Sequence, residues 1–274
     1  MSNGEITITG FDKTSEETEI TIPETFADLP VTGIGEFAFE NCKTITGIHL
    51  PSSIKTIGGD AFSGCSNLKN ITIPNSVTYI GSEAFSGCAN LTDIVFHNNI
   101  KVIWDNAFSD CINITNITLP NGIDYICYTT FSGCESLESI TIPKTVTKIQ
   151  RNAFLGCANL RTVYYLGTEE EWNSITIAKQ NSELKNADVI FVKHTETAVS
   201  GDRKTFTVKP VNIAPNGGIV ILALYNGENL VDTMIKPYDG SEAVFTTDKT
   251  YTGAKVMVWK SLADMKIVCN AETL

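Results

Sequence analysis

AFSGCSNLKNITIPNSVTYIGSEAFSGCANL, residues 61–91, states one pattern twice. Ala61-Phe62-Ser63-Gly64-Cys65 returns as Ala84-Phe85-Ser86-Gly87-Cys88, and Leu68 returns as Leu91. Outside this stretch the interval holds. Phenylalanine stands at 39, 62, 85, 108, 131 and 154, each step 23 residues, and cysteine at 42, 65, 88, 111, 134 and 157. Two aliphatic series keep the same step, Ile34 to Ile149 and Val31 to Val146. Several residue classes locked to one period mark a supersecondary unit repeated as a solenoid. A helical heptad does not keep step with this period, because 23 is not a multiple of 3.5 or 3.6.

Each unit reads C-x-x-L-x-x-I-x-L/I-P, then V/I-x-x-I, then A-F-x-x-C. Leu68-Lys69-Asn70-Ile71-Thr72-Ile73 alternates like a short strand that Pro74 closes. Val77-Thr78-Tyr79-Ile80 before Gly81 reads as a second extended stretch, and Ala84-Phe85 turns the chain toward the next strand. A single unit cannot bury its apolar side. Stacked units can, with Leu68 on Leu91, Ile71 on Ile94 and Phe62 on Phe85, strands lying about 4.8 Å apart.

Over residues 20–166 the pattern resembles the BspA-type (treponemal-type) leucine-rich repeat family, with Ile20-Thr21-Ile22-Pro23 as the tail of a first, incomplete unit. Departures are few: Thr130 for the alanine, His97 for the proline, Ile45 and Ile114 for the leucine. The resemblance implies a right-handed leucine-rich repeat superhelix of 23-residue units. It also implies a non-catalytic adhesion or binding protein, secreted or at the cell surface. Met-Ser-Asn-Gly-Glu at the start has no charged and apolar signal peptide, as in a cytosolic protein or in one whose signal has been removed; the resemblance to this family favours removal.

After Leu160 the unit pattern breaks. Val163 opens one more strand-like run. Thr168-Glu169-Glu170-Glu171-Trp172 reads as a capped helix start rather than a carboxylate site. Asp188-Val189-Ile190-Phe191-Val192 reads as a final strand. Residues 163–194 therefore resemble the family's C-terminal cap, completing a solenoid domain over 1–194. His194–Asp202 reads as a polar linker. Residues 203–274 hold short β-rich runs between Asn216-Gly217-Gly218, Asn226-Gly227 and Tyr238-Asp239-Gly240-Ser241, which predicts a small all-β, immunoglobulin-like sandwich. Lys255–Leu262 with Met265-Lys266 is similar to a terminal β-module of exported clostridial surface proteins, which points to a Gram-positive anaerobe.

Net charge is -11, unevenly spread. Residues 1–194 hold 12 Lys/Arg against 22 Asp/Glu, and residues 195–274 hold 8 against 9. An acidic solenoid without a basic stripe is a poor partner for nucleic acid or anionic membrane, and no run reaches membrane-spanning length. The eight cysteines include no C-x-x-C pair, and His49, His97 and His194 hold no fixed relation to the cysteine series, so neither metal nor other cofactor is expected. Stacking places the repeat cysteines inward as small, weakly donating side chains. Their rung spacing does not forbid disulfides, but parallel side chains favour free thiols. Cys127 and Cys269, outside the series, read as core fillers.

No G-x-S-x-G, Walker A or H-E-x-x-H motif occurs. The repeated Ser-Gly-Cys is not read as a nucleophile, because catalysis needs one asymmetric constellation. The expected work is binding. Outward positions of the first strands run from Thr46, Gly47 and His49 to Arg161, Thr162 and Tyr164. Across them Lys69, Asp93, Asn116, Glu138, Arg161 and Tyr164 are the candidate contacts for a protein or extracellular-matrix ligand, Tyr164 being the aromatic anchor. A glycan-binding module is the alternative, with Trp104, Tyr125 and Tyr128 as stacking candidates against partial burial between rungs. A structural spacer is the third reading.

Overall fold

A computed structural model describes residues 4–191 throughout. Beyond them it describes the backbone of strands Asp188–Ala198, Lys204–Val211, Gly218–Asn226, Asn229–Tyr238, Ala243–Thr247, Gly253–Trp259 and Glu272–Thr273. The chain divides into two compact units, 1–161 with 174–187, and 162–173 with 188–274.

The first unit winds as a β-solenoid. One side is a front sheet of parallel strands, Glu19–Thr21, Gly47–His49, Asn70–Thr72 and Asp93–Val95, continued by the pair Asn116–Thr118 and Ser139–Pro143. Asn70 pairs with Asp93 and Ile71 with Ile94, so the register is the sequence period itself. A back sheet of shorter strands runs Ile6–Ile8, Leu29–Ile34, Thr56–Ile57, Tyr79–Ile80, Val102–Ile103, then Tyr125–Ile126, Lys148–Ile149 and Thr176–Ile177. Strand pairing in both sheets is interrupted between the rungs of Asp93–Ile103 and Asn116–Ile126.

The corner between the sheets bridges that interruption. The amide of Phe62 donates to Ala84 O, Phe85 to Ala107 O and Phe108 to Thr130 O, at 2.8–2.9 Å. Asp60, Glu83 and Asn106 donate likewise to Ser82, Asp105 and Tyr128. This wrap uses two left-handed residues per turn. Gly64, Gly87, Gly133 and Gly156 serve at one place, with φ of 69–80°, where glycine is unstrained. At the other stand Asp60, Glu83, Asn106, Thr129 and Asn152, with φ of 52–61°. The phenyl rings stack behind the corner, from Phe39 through Phe62, Phe85, Phe108 and Phe131 to Phe154, with centroids 5.2–5.9 Å apart. The aliphatic series of both sheets completes the core. Ile45 and Ile114 fill the leucine place, and the Thr130 hydroxyl donates 2.9 Å to Cys127 O, so these departures leave the rungs intact.

Both ends of the unit extend past the recognisable repeat. Ahead of Ile20, Ile6–Ile8 pairs with Leu29–Ile34, and Phe11 lies 5.5 Å from Phe39, forming a half rung. At the other end Asn181, 1% exposed, takes over where no further corner follows. Its Oδ1 accepts from Phe154 N at 3.1 Å, and its Nδ2 donates to Gln150 O and Ala178 O. Glu183 Oε1 accepts from Gly156 N at 2.9 Å. Burial opposes ionisation of Glu183, but the Gly156 amide, its own amide and the Ser182 hydroxyl outweigh it and lower its pKa. In the second unit, Thr168 and Glu171 cap the helix Glu169–Ser174 reciprocally, each side chain engaging the other's amide. The acids of that turn are therefore helix chemistry.

In the second unit, Thr162–Leu166 runs parallel to Asp188–Ala198, which pairs antiparallel with Lys204–Val211, and that strand with Ala243–Thr247. Gly218–Asn226 lies between Asn229–Tyr238 and Gly253–Trp259. Chain expected to be linker is strand as far as Ala198. The immunoglobulin-like packing expected over 203–274, the side chains behind the clostridial resemblance, the connecting turns and Cys269 lie outside the described residues.

His97 occupies the turn position held elsewhere by Pro51, Pro74, Pro120 and Pro143, its carbonyl accepting from Ile100 N as theirs accept from the equivalent amide. Its Nδ1 accepts from Asn99 N at 3.3 Å, while Nε2 is buried without a well-formed partner. Burial lowers its pKa, and the Pro74 carbonyl offsets this only in part. The unfolded chain therefore takes up a proton below about pH 6.5 that folded His97 resists, and stability falls as pH drops through that window. His97→Pro should raise stability by about 0.4–1 kcal/mol at neutral pH and flatten this acid slope, measured by urea melts between pH 7.5 and 5. Phe85→Ala, in a central rung, should cost about 3–5 kcal/mol in the same assay; a loss below about 1 kcal/mol would place Phe85 outside the core.

Candidate binding surface

The front strands present three outward columns, and their exposure differs along the solenoid. Lys69, Asp93, Glu138 and Arg161 are exposed, and Asn116 is half-buried. Lys69, Glu138 and Arg161 share the column just ahead of the strands, where Lys69 N donates to Thr46 O and Arg161 N to Glu138 O at 2.9 Å. Asp93 and Asn116 stand one column further along. Local bonds hold several of these side chains. Asp93 Oδ2 accepts from the Thr92 hydroxyl at 3.2 Å, Asn116 Oδ1 accepts from Ser139 Oγ at 2.7 Å, and Arg161 Nη1 donates to Ala158 O at 2.9 Å.

Tyr164 does not join them. Its strand is buried on both faces, and the residue is 2% exposed, so it offers no anchor. Thr141 and Thr162, also expected outward, are buried. Gly47 is covered by the Glu19 carboxylate, which occupies the space a Cβ would need. The accessible face therefore centres on the rungs from Lys69 to Glu138. His49 is exposed at its edge, and Val95, at 72% exposure, is its prominent apolar side chain.

Exposed rings also lie along the back sheet, apart from Phe26 and Phe37 in the first turn. Trp104 is 37% and Tyr128 50% exposed, while Tyr125 is half-buried. Partial burial between rungs thus describes Tyr125 but not Tyr128. Tyr79, passed over as an ordinary strand residue, is 38% exposed with its ring 6.3 Å from Trp104.

The corner cysteines are packing and hydrogen-bonding groups. Cys65 Sγ donates to Phe39 O at 3.0 Å, and Cys88, Cys111, Cys134 and Cys157 donate to Phe62, Phe85, Phe108 and Phe131 at 3.1–3.2 Å. Burial pushes the Cys65 and Cys157 thiols up to about 12, and Cys88, Cys111 and Cys134 upward as well. Cys127, raised to about 12 by burial and by Asp105, is equally protonated. A catalytic thiolate needs the opposite environment. Among the described residues no cluster of His, Cys, Asp and Glu has the makings of a metal site.

This architecture is a leucine-rich repeat solenoid. A model of the BspA type Leucine rich repeat region matches in six copies, over residues 4–111 and 32–161, and the chain belongs to that family. A crystal structure of a leucine-rich repeat protein from T. pallidum is 31% identical, with TM-score 0.54, the match covering 59% of this chain and 78% of that one. A leucine-rich repeat protein from Bacteroides ovatus is 29% identical with TM-score 0.48, over 60% and 52% of the two chains. Comparison with curated proteins gave no significant match. No helix among the described residues is long and apolar enough to cross a membrane.

Thiol titration tests the corner. At pH 8 the described cysteines, 42, 65, 88, 111, 127, 134 and 157, should react with an aromatic disulfide reagent only after denaturant is added. Rapid labelling of the native repeat thiols would overturn the inward ladder.

Proposed function

We propose that this is a non-catalytic binding protein, secreted or displayed at the cell surface, that holds a protein or extracellular-matrix ligand across its front sheet. The observation that carries this reading is the exposed polar face from Lys69 to Glu138. Its backbone is fixed by strand pairing on either side of the Asp93–Asn116 level and by the corner bonds across it, while its outward side chains differ from turn to turn. A rigid surface with independently variable positions suits protein recognition, since binding residues gain precision from a fixed scaffold. Lys69, Asp93, Asn116, Glu138 and Arg161 are the proposed contacts. The strands' spacing gives about 20–25 Å of continuous surface, enough for a protein patch or an extended segment. The C-terminal β-rich segment, 203–274, serves as spacer or anchor, and surface display follows from kinship with the family rather than from a feature of this chain.

The test is binding of the purified protein to immobilised, solubilised host extracellular matrix, followed by interferometry. Asp93→Lys combined with Glu138→Lys should weaken binding about tenfold or more, through a faster off-rate and altered salt dependence. A chain ending at residue 199, with an unchanged solenoid melting transition, should bind as the full chain does. If truncation abolishes binding while the double reversal changes nothing, recognition belongs to the C-terminal segment and the front-sheet reading is wrong.

A further inference from the structure

The back sheet exposes three rings on three successive rungs. Tyr79 lies in Tyr79–Ile80, which pairs with Val102–Ile103. Trp104 follows that second strand, its amide donating 3.1 Å to Ile80 O. Tyr128 belongs to the next rung, its amide donating 3.1 Å to Oδ1 of Asp105, the neighbour of Trp104. The three residues therefore step obliquely across three rungs, with the Tyr79 and Trp104 rings 6.3 Å apart and Tyr128 held to the Trp104 turn by that Asp105 bond and by Asn106 N donating to Tyr128 O at 2.9 Å. Trp104 also departs from its own column. The preceding turns have Gly35, Gly58 and Gly81 at this place, where a Cβ at Gly58 or Gly81 would strike the backbone of the turn before. The following turns fill the same place with the buried Cys127 and with Gln150, so Trp104 puts a partly exposed indole where the three preceding turns are bare, which makes it a candidate for recognition.

Three kinds of ligand stack on exposed rings. Single-stranded nucleic acid needs cations along its backbone, whereas these turns carry Glu83, Asp105 and Asp124 against Lys101 alone. Proline-rich segments dock into aromatic-lined grooves, whereas Tyr79 and Trp104 are tilted by 54° on an open sheet and offer faces rather than a slot. Sugar rings fit both features. Their C–H faces lie on aromatic faces, and their rim hydroxyls donate to carboxylates such as Asp105 and Asp124. The same acids repel uronic and sulfated chains.

We propose that Tyr79, Trp104 and Tyr128 form a second binding site, for a neutral, equatorially linked polysaccharide, on the sheet opposite the protein-binding face.

Native affinity electrophoresis of the full chain in gels containing hydroxyethyl cellulose or mixed-linkage β-glucan tests this, with calorimetry on cellohexaose giving the affinity. Retardation is expected. Trp104→Ala and Tyr128→Ala should each weaken it about tenfold or more, without a shift in the melting transition. The Asp93→Lys, Glu138→Lys variant should bind glycan as the parent does, so failure of one site is distinguishable from failure of the other. Should Trp104→Ala not fold, the half-exposed Tyr128 decides. Absence of retardation in both gels, undiminished binding by folded Trp104→Ala and Tyr128→Ala, or tighter binding of oligo-dT or a polyproline peptide than of cellohexaose would each overturn the proposal.

Discussion

The corner hydrogen bond from each repeat phenylalanine to the turn above it is the constraint on which the solenoid rests. Phe62 N to Ala84 O and Phe85 N to Ala107 O fix the vertical register, and the ring of each phenylalanine then lands on the next, with centroids 5.2 Å apart. Flat sheets do not impose register so strictly, and here both lose strand pairing at one level, between Asp93–Ile103 and Asn116–Ile126. The corner continues through that level, with Asn106, Phe108 and Asp110 all bonded to the following turn. Because every turn must deliver its phenylalanine to the same place, an inserted residue in any turn has to be absorbed elsewhere. In the first turn that happens in the hairpin Thr25–Phe26 with Leu29–Pro30, whose Ala27 and Asp28 both take left-handed conformations.

The thiol belongs to the same arrangement. Each repeat carbonyl already accepts a local amide, as Phe62 O does from Cys65 N at 3.1 Å, and the cysteine of the next turn adds a second donor from above at 3.2 Å. A strong donor is not required there, since the oxygen is satisfied. What the site requires is a small, largely apolar group that fills the corner without bringing unmet polarity inside. Burial raises the thiol pKa, which keeps the proton on sulfur and the bond in place. Chemical inertness and structural fitness therefore have one cause.

The repeating part of this fold was legible because it is periodic: Phe, Cys and the aliphatic series give core, register and family. The ends were not. Phe11 does the work of a repeat phenylalanine without an Ala before it or a Cys after it, so the half rung at Ile6–Ile8 leaves no motif. Asn181 and Glu183 replace backbone acceptors with side-chain oxygens, and a solution used once has no period. The left-handed residues at 60, 83, 106, 129 and 152 were hidden for another reason: they are Asp, Glu, Asn, Thr and Asn rather than glycine. Strand alternation placed Tyr164 outward, but alternation is local and coverage is not, and that strand is buried on both faces. Lys69, Asp93, Glu138 and Arg161 are exposed, as outward positions should be.

A solenoid separates what must be constant from what is free to change, and here the separation falls by face. The corner admits little variation: Thr130 in place of alanine is tolerated because its hydroxyl finds Cys127 O. The glycines of the back sheet are equally constrained while the turn beneath leaves no room for a Cβ. Once Trp104 replaces that glycine, the same column becomes a place where a ring projects outward. On the front, pairing uses backbone atoms alone, so Lys, Thr, Asp, Asn and Glu succeed one another without disturbing register. Side chains free to vary are thus confined to positions that the stacking does not read, and two such sets exist on opposite sheets. One is polar and charged and the other aromatic with acidic neighbours, so the two surfaces differ in chemistry even though one corner ladder holds both in place.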